Sequence, residues 1–108
     1  MPVLADNRRA KHDYSILEKF EAGLVLTGPE VKSIKSGRAN LQGSYVIPRV
    51  NELWLTGMQV APYPPAKREQ AEYNPEQDRK LLLSTTELNY LSGKLKQKGL
   101  TLVPLSLY

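Results

Sequence analysis

The amino-acid sequence predicts a mainly β fold, a small antiparallel β-barrel with two or three short flanking α-helices. Three observations lead there. Runs of apolar and β-branched residues bounded by turn residues dominate the chain, two capping-box patterns open short helices, and the element order shows no βαβ rhythm. At 108 residues the chain has the size of one domain, able to bury roughly two thirds of its unfolded surface. The division expected is a basic N-terminal arm over residues 1–13 and a barrel domain over 14–108.

The arm carries Arg8, Arg9 and Lys11 with little apolar content and reads as a segment lying on the body or on a partner. From Tyr14 to Leu26 a β-leaning run is interrupted at Ala22-Gly23, where a bulge or sharp bend fits. Thr27-Gly28-Pro29-Glu30 is a helix start: Thr27 can cap, Pro29 suits the first turn, and Glu30 completes a capping box. Val31 and Ile34 then share one face, Lys32, Lys35 and Arg38 recur at intervals of three on another, and Gly37 ends the helix near Arg38. Ser44–Val50 and Glu52–Val60 read as an antiparallel hairpin turning at Asn51, with Pro48 marking an edge strand or bulge. Ala61 to Pro75, with four prolines, reads as a long exposed loop. Arg79–Leu83 predicts a buried strand, and Ser84-Thr85-Thr86-Glu87 opens a second helix. That helix has Leu88, Leu91 and Leu95 inward, Lys94, Lys96 and Lys98 in its last turns, and Gly99 at its close. Leu100 to Tyr108 alternates as a last strand. Small oligonucleotide-binding barrels belong to this class. The chain stops inside that last strand, from which a natural continuation supplying a further pairing partner is expected.

Composition narrows the function. Fifteen Lys and Arg against eleven Asp and Glu, with pI near 9.4, favour a polyanionic partner. Cysteine is absent and histidine occurs once. Disulfides, thiolate metal sites and Cys nucleophiles are therefore excluded, and neither HExxH nor a phosphate-cradling glycine loop occurs. No enzymatic activity, cofactor or metal is expected, although Glu18, Glu21 and Glu30 could assemble a carboxylate pair. With neither a signal-peptide core nor a spanning apolar stretch, a cytoplasmic protein is expected.

The candidate contact residues each have a plain alternative. Arg8, Arg9 and Lys11 beside Asn7 and His12 could clamp phosphates while His12 or Tyr14 stacks on a base; equally, they could form a solvated arm. Lys32, Lys35 and Arg38 could face phosphates or be the wet side of an amphipathic helix. Lys94 to Lys98 is accounted for by the helix terminus, Ser84 by capping, and Leu82 by the core.

Five segments, in order, resemble the SmpB family, small proteins that bind transfer-messenger RNA in bacterial trans-translation. They are Asn7-Arg8-Arg9-Ala10-Lys11-His12-Asp13-Tyr14, Phe20-Glu21-Ala22-Gly23, Gly28-Pro29-Glu30-Val31-Lys32-Ser33, Arg79-Lys80-Leu81-Leu82-Leu83 and Thr101 through Tyr108. The resemblance implies an oligonucleotide-binding-like barrel that holds the tRNA-like domain of the RNA near its D-loop and elbow. The protein would stand in for an anticodon arm in the A site of a stalled ribosome, as a monomer and without catalysis. RNA-contacting positions of the family carry over onto Asn7, Arg8, Lys11, His12, Tyr14, Glu21, Arg79, Lys80 and Leu82, with Ser84 at a commonly polar position; Lys32 completes the candidate set. Gln77 stands where the family often has Arg. The family's final strands and basic C-terminal tail, which reads the empty mRNA path, are absent from this chain. The competing reading is a protein-interaction domain that uses the proline-rich loop and an exposed sheet edge.

Overall fold

The computed structural model describes residues 3–64 and 73–108. In chain order the elements are β1 (Ala5–Asp6), α1 (Arg8–Asp13), β2 (Gly23–Leu24), α2 (Gly28–Lys35), β3 (Ala39–Asn40), β4 (Tyr45–Arg49), β5 (Glu52–Thr56), β6 (Gln59–Val60), β7 (Arg79–Leu82), α3 (Thr85–Leu95) and β8 (Ser106–Leu107). Small antiparallel sheets with a few helices are thus the architecture. Residues 65–72, the middle of the proline-rich stretch expected as an exposed loop, lie outside the described residues.

The β4–β5 hairpin is the longest ladder, running from Tyr45↔Thr56 to Arg49↔Glu52. Its two-residue loop places Asn51 at φ 56°, a left-handed conformation that Asn tolerates. In the order β2-β7-β5-β4 the strand holding Pro48 is indeed at the edge. Val46 N–H points outward to Leu102 O at 3.0 Å. Pro48 lies two residues further along the same side, so the N–H it lacks is not one β5 needs. The strand expected to run on to Val60 is broken at Gly57 (φ 86°), after which β6 pairs with β3.

Both helix caps form, but only the first is a full capping box, since the Glu87 carboxylate accepts from the Ser84 hydroxyl rather than from its backbone N–H. Thr27 Oγ1 accepts from Glu30 N–H at 3.3 Å while Thr27 N–H donates to Glu30 Oε1 at 3.0 Å, and Ser84 Oγ accepts from Glu87 N–H at 3.2 Å. The helices are shorter than expected: α2 stops at Lys35, and α3 stops at Leu95, leaving Lys96 as its cap and Lys98 beyond it. Ile34 of α2, Leu41, Val46 of β4, Leu53 and Leu55 of β5, Met58, Val60 of β6 and Leu91 of α3 form one buried cluster. Every sheet touches it, since Ala5, Leu24, Ala39, Leu81 and Leu107 pack on its rim.

Two expectations are corrected. No closed barrel forms among the described residues: the ladders make three sheets, β1-β8, β2-β7-β5-β4 and β3-β6. Several strands are only two residues long, Pro104 removes a donor from the terminal run so that only Ser106–Leu107 pairs, and single bonds such as Val60 N–H to Pro75 O (3.0 Å) replace continuous ladders. The first 13 residues are also more than an arm. Ala5–Asp6 pairs with Ser106–Leu107, and α1 is a helix whose cap, Asn7, is buried. The β-leaning run after Tyr14 is mostly an exposed strap, and only Gly23–Leu24 joins a ladder.

Candidate nucleic-acid interface

Helix α1 presents the basic cluster. Asn7 Oδ1 accepts from Ala10 N–H at 3.2 Å, and its Nδ2 donates to Pro104 O at 2.8 Å and Leu41 O at 3.3 Å. This stitches the helix start to two parts of the body. From that base Arg8 and His12 project almost fully into solvent, with Lys11 and Tyr14 about half exposed. Their charge is partly answered locally. Asp6 meets Lys11 Nζ at 2.6 Å and Arg8 at 3.9 Å; Asp13 accepts from Arg9 at 3.0 Å and lies 3.0 Å from His12 Nδ1. Hydrogen bonds from His12 and then Arg9 hold the Asp13 carboxyl below the usual range. Such exposed pairs contribute little, so a phosphate can exchange with them at small cost. Beside the helix a cleft of about 180 Å³ is lined by Arg9, Asp13, Tyr14, Tyr45, Thr101 and Val103 among others. Tyr14 and Tyr45, both about half exposed, give it two aromatic walls suited to a base.

Strand β7 divides the other expected contacts by the alternation of its side chains. Lys80 and Leu82 face out: Lys80 Nζ pairs with Glu52 at 2.6 Å, and Leu82 is 51% exposed. Leu82, read from the pattern as core, is therefore a surface residue opposite Gly23. Arg79 faces in and is 2% exposed. It ion-pairs with Glu30 at 2.6 Å and donates to Met58 O, Gln77 O, Pro75 O and the Tyr73 hydroxyl at 2.9–3.1 Å. Burial pushes the Glu30 carboxyl up, but donation from Thr27 N–H, Arg79 and Tyr73 outweighs it and holds the pKa below the ordinary value. Burial and the Glu30 carboxylate push Tyr73 up to about 12. Gln77 joins the same cluster, its Nε2 donating to Glu30 at 3.1 Å. Asn7 and Arg79, expected at the RNA surface, are thus internal groups whose polar atoms are already used by the protein.

Glu21 lies on the exposed segment between α1 and β2, and its carboxylate holds the Tyr108 hydroxyl above its ordinary pKa. Tyr108 follows β8, which pairs with the strand leading into α1, and two residues after Glu21 the chain enters β2 with Gly23 opposite Leu82. Arg8, Lys11 and His12 lie on α1 with Tyr14 at its end, Glu21 just before β2, and Lys80 and Leu82 on β7, which pairs with β2. Lys32 stands apart on α2, exposed, its ammonium 5.8 Å from the Tyr63 ring, and Ser84 serves as the α3 cap. Of the three carboxylates that could have paired, Glu30 is taken by Arg79 and Glu18 by Tyr90. Reading the sequence missed Tyr45, Tyr90 and Tyr108. The signal available was their number, since tyrosine supplies six of the aromatic residues.

A family model described as SmpB protein matches residues 4–108. A protein of Sulfurihydrogenibium sp. and one of Carboxydothermus hydrogenoformans, both named SsrA-binding protein, are each 51% identical over 106 residues; these cover 98% of this chain and 68% and 70% of the relatives. The SsrA-binding protein of Wolbachia pipientis subsp. Culex pipiens is 45% identical over 108 residues, 100% of this chain and 71% of its own. A solved structure described as "tmRNA-SmpB: a journey to the center of the bacterial ribosome" matches at TM-score 0.77 and 50% identity, covering 100% of this chain and 73% of its own. The chain belongs to the SmpB family.

Proposed function

We propose that this chain binds transfer-messenger RNA, the RNA called SsrA, and acts with it on the ribosome in trans-translation. The observation that carries the reading is the full-length similarity, at about half identity, to proteins named for SsrA binding and to a structure described by tmRNA and the ribosome. The face used is the one built from Arg8, Lys11, His12, Tyr14, Glu21, Lys80 and Leu82. Arg8 and Lys11 draw in phosphates, His12, Tyr14 and Leu82 stack or pack on bases, and Glu21 accepts from base amino groups. Asn7 and Arg79 serve by holding that face in place, and the protein itself catalyses nothing.

The finer features are inferred on the same footing. The three sheets are arcs of an open oligonucleotide-binding-like barrel; in support, they share one core and are bridged by Val46 N–H to Leu102 O and Val60 N–H to Pro75 O. Binding near the elbow of the tRNA-like domain places the protein where an anticodon arm would lie in the A site, in the cytoplasm. Among the described residues no helix is long and apolar enough to cross a membrane. Gel-shift titrations with transfer-messenger RNA at several salt concentrations test the proposal. Neutralising about five phosphates gives a log-log salt slope of roughly −4. Equal affinity for an unrelated RNA of the same length would sink the specific reading.

A further inference from the structure

Residues 14–22 make no ladder, and every one of them is exposed, yet the strap is held at Glu18 and Phe20 by a tyrosine from elsewhere in the chain. Tyr90 of α3 donates to Glu18, its hydroxyl lying 2.8 and 2.9 Å from the two carboxylate oxygens. The Tyr90 ring also packs against Phe20 with centroids 5.9 Å apart, and Lys94, one turn on, lies 5.5 Å from the same ring centroid. On either side of Glu18 the strap offers Leu17 (74% exposed) and Lys19 to solvent. The pin does not bury the strap; it fixes its path from the end of α1 to β2.

We propose that Tyr90 is a positioning residue for RNA recognition: it sets the strap in its binding conformation before RNA arrives, so that Glu21, three residues after Glu18, is presented on a fixed path into β2. This rests on the RNA-binding reading above. An extended segment without ladder bonds loses much backbone freedom when it is ordered, and a strap already held by the protein spares the complex that loss. Tyr90 grips the strap by both a hydrogen bond and a ring contact.

Trypsin supplies a readout in the RNA-free protein, since Lys19 lies on the strap between Glu18 and Phe20. Cleavage after Lys19, followed by mass spectrometry, is expected to accelerate several-fold in Tyr90→Ala and less in Tyr90→Phe, which keeps the ring. Affinity for transfer-messenger RNA is expected to fall about three- to tenfold in Tyr90→Phe, the range of one net hydrogen bond, with the salt slope unchanged because no phosphate contact is lost. Glu18→Ala should match Tyr90→Phe, the double variant should be no worse than either, and Glu18→Gln, which keeps an acceptor, should restore most of the affinity. Unchanged cleavage after Lys19 in Tyr90→Ala overturns the pin, as does affinity that stays at the wild-type value when cleavage rises. If the wild-type protein shows no preference for this RNA, the functional reading fails instead, and the cleavage rates still report on the strap.

Discussion

Replacing Arg79 by Ala tests the division between inside and outside on which the interface depends. The side chains of Arg79 and Glu30 are each 1% exposed. The guanidinium has five N–H groups and five acceptors around it, in Glu30, Met58, Tyr73, Pro75 and Gln77. Truncation leaves the Glu30 carboxylate buried with only the Thr27 N–H, Tyr73 and Gln77 as donors, and strips Met58 and Pro75 carbonyls of this partner. Breaking such a buried pair costs about 3–5 kcal/mol. That is a large part of the roughly 5–15 kcal/mol that holds a domain together, and it lowers the melting temperature by at least about 12 °C. Urea unfolding followed through Trp54, the single tryptophan, reports on the relevant strand because Trp54 pairs with Lys80. Arg79→Lys keeps the charge but cannot serve five acceptors, so it should fall between wild type and Arg79→Ala. A loss below about 1 kcal/mol, or weakened RNA binding at unchanged stability, would refute the reasoning and return Arg79 to the RNA surface.

Four other outcomes follow from the structure. Because the Glu30 pKa is lowered on folding from 4.5, its contribution is present above pH 4.5 and is lost as pH falls through the lower folded value; denaturant titrations should show stability declining there, and a rise on acidification would contradict the assignment. Arg8→Ala should weaken binding of all RNAs alike and reduce the salt slope by about 1, whereas Asn7→Ala should lower helix and domain stability by about 0.5–2 kcal/mol for the cap alone and leave the salt slope unchanged, as paired melting and gel-shift measurements would register. Gly57→Ala should cost at least about 1–2 kcal/mol by calorimetry, since φ is 86° and the added Cβ would lie 3.3 Å from the Ser44 Cα; wild-type stability would mean that the β5–β6 bend takes another conformation.

Local signals in the sequence foretold local structure. Thr27 with Glu30 and Ser84 with Glu87 each satisfy orphan helix donors within three residues, so the helix starts could be read without knowing what lay around them. Asn51 and Pro48 likewise fixed a turn and an edge. What escaped depended on distant partners. Ala5 finds Leu107 across nearly the whole chain, which turns an apparent arm into a strand and a capped helix. Phe20, Ile16 and Leu17 look like strand residues by composition, yet at exposures of 40%, 37% and 74% they have no second apolar layer over them among the described residues. Barrel closure failed for a similar reason: alternation and turn residues predict strands but not whether their ends meet.

The site was harder to read than the fold because one bit of information was missing, the phase of β7. Arg79-Lys80-Leu81-Leu82-Leu83 alternates by geometry, but three consecutive leucines hide which parity faces the core. Register supplies the answer: Leu55, 2% exposed, stands opposite Arg79, and Leu81 and Leu83 pack on the same core. The odd positions are therefore inside and the even ones, Lys80 and Leu82, outside. Had the leucine run been interrupted by a polar residue at 82, the strand would have announced its own orientation; an apolar residue held outward across from Gly23 instead makes Leu82 look like core while leaving it free to pack on a partner. The same ambiguity ran the other way for Arg79, since a charge beside another charge reads as surface until a buried carboxylate is found to answer it. Glu30 is that carboxylate, and its place at the start of a helix already accounted for it in the sequence, which concealed its second task.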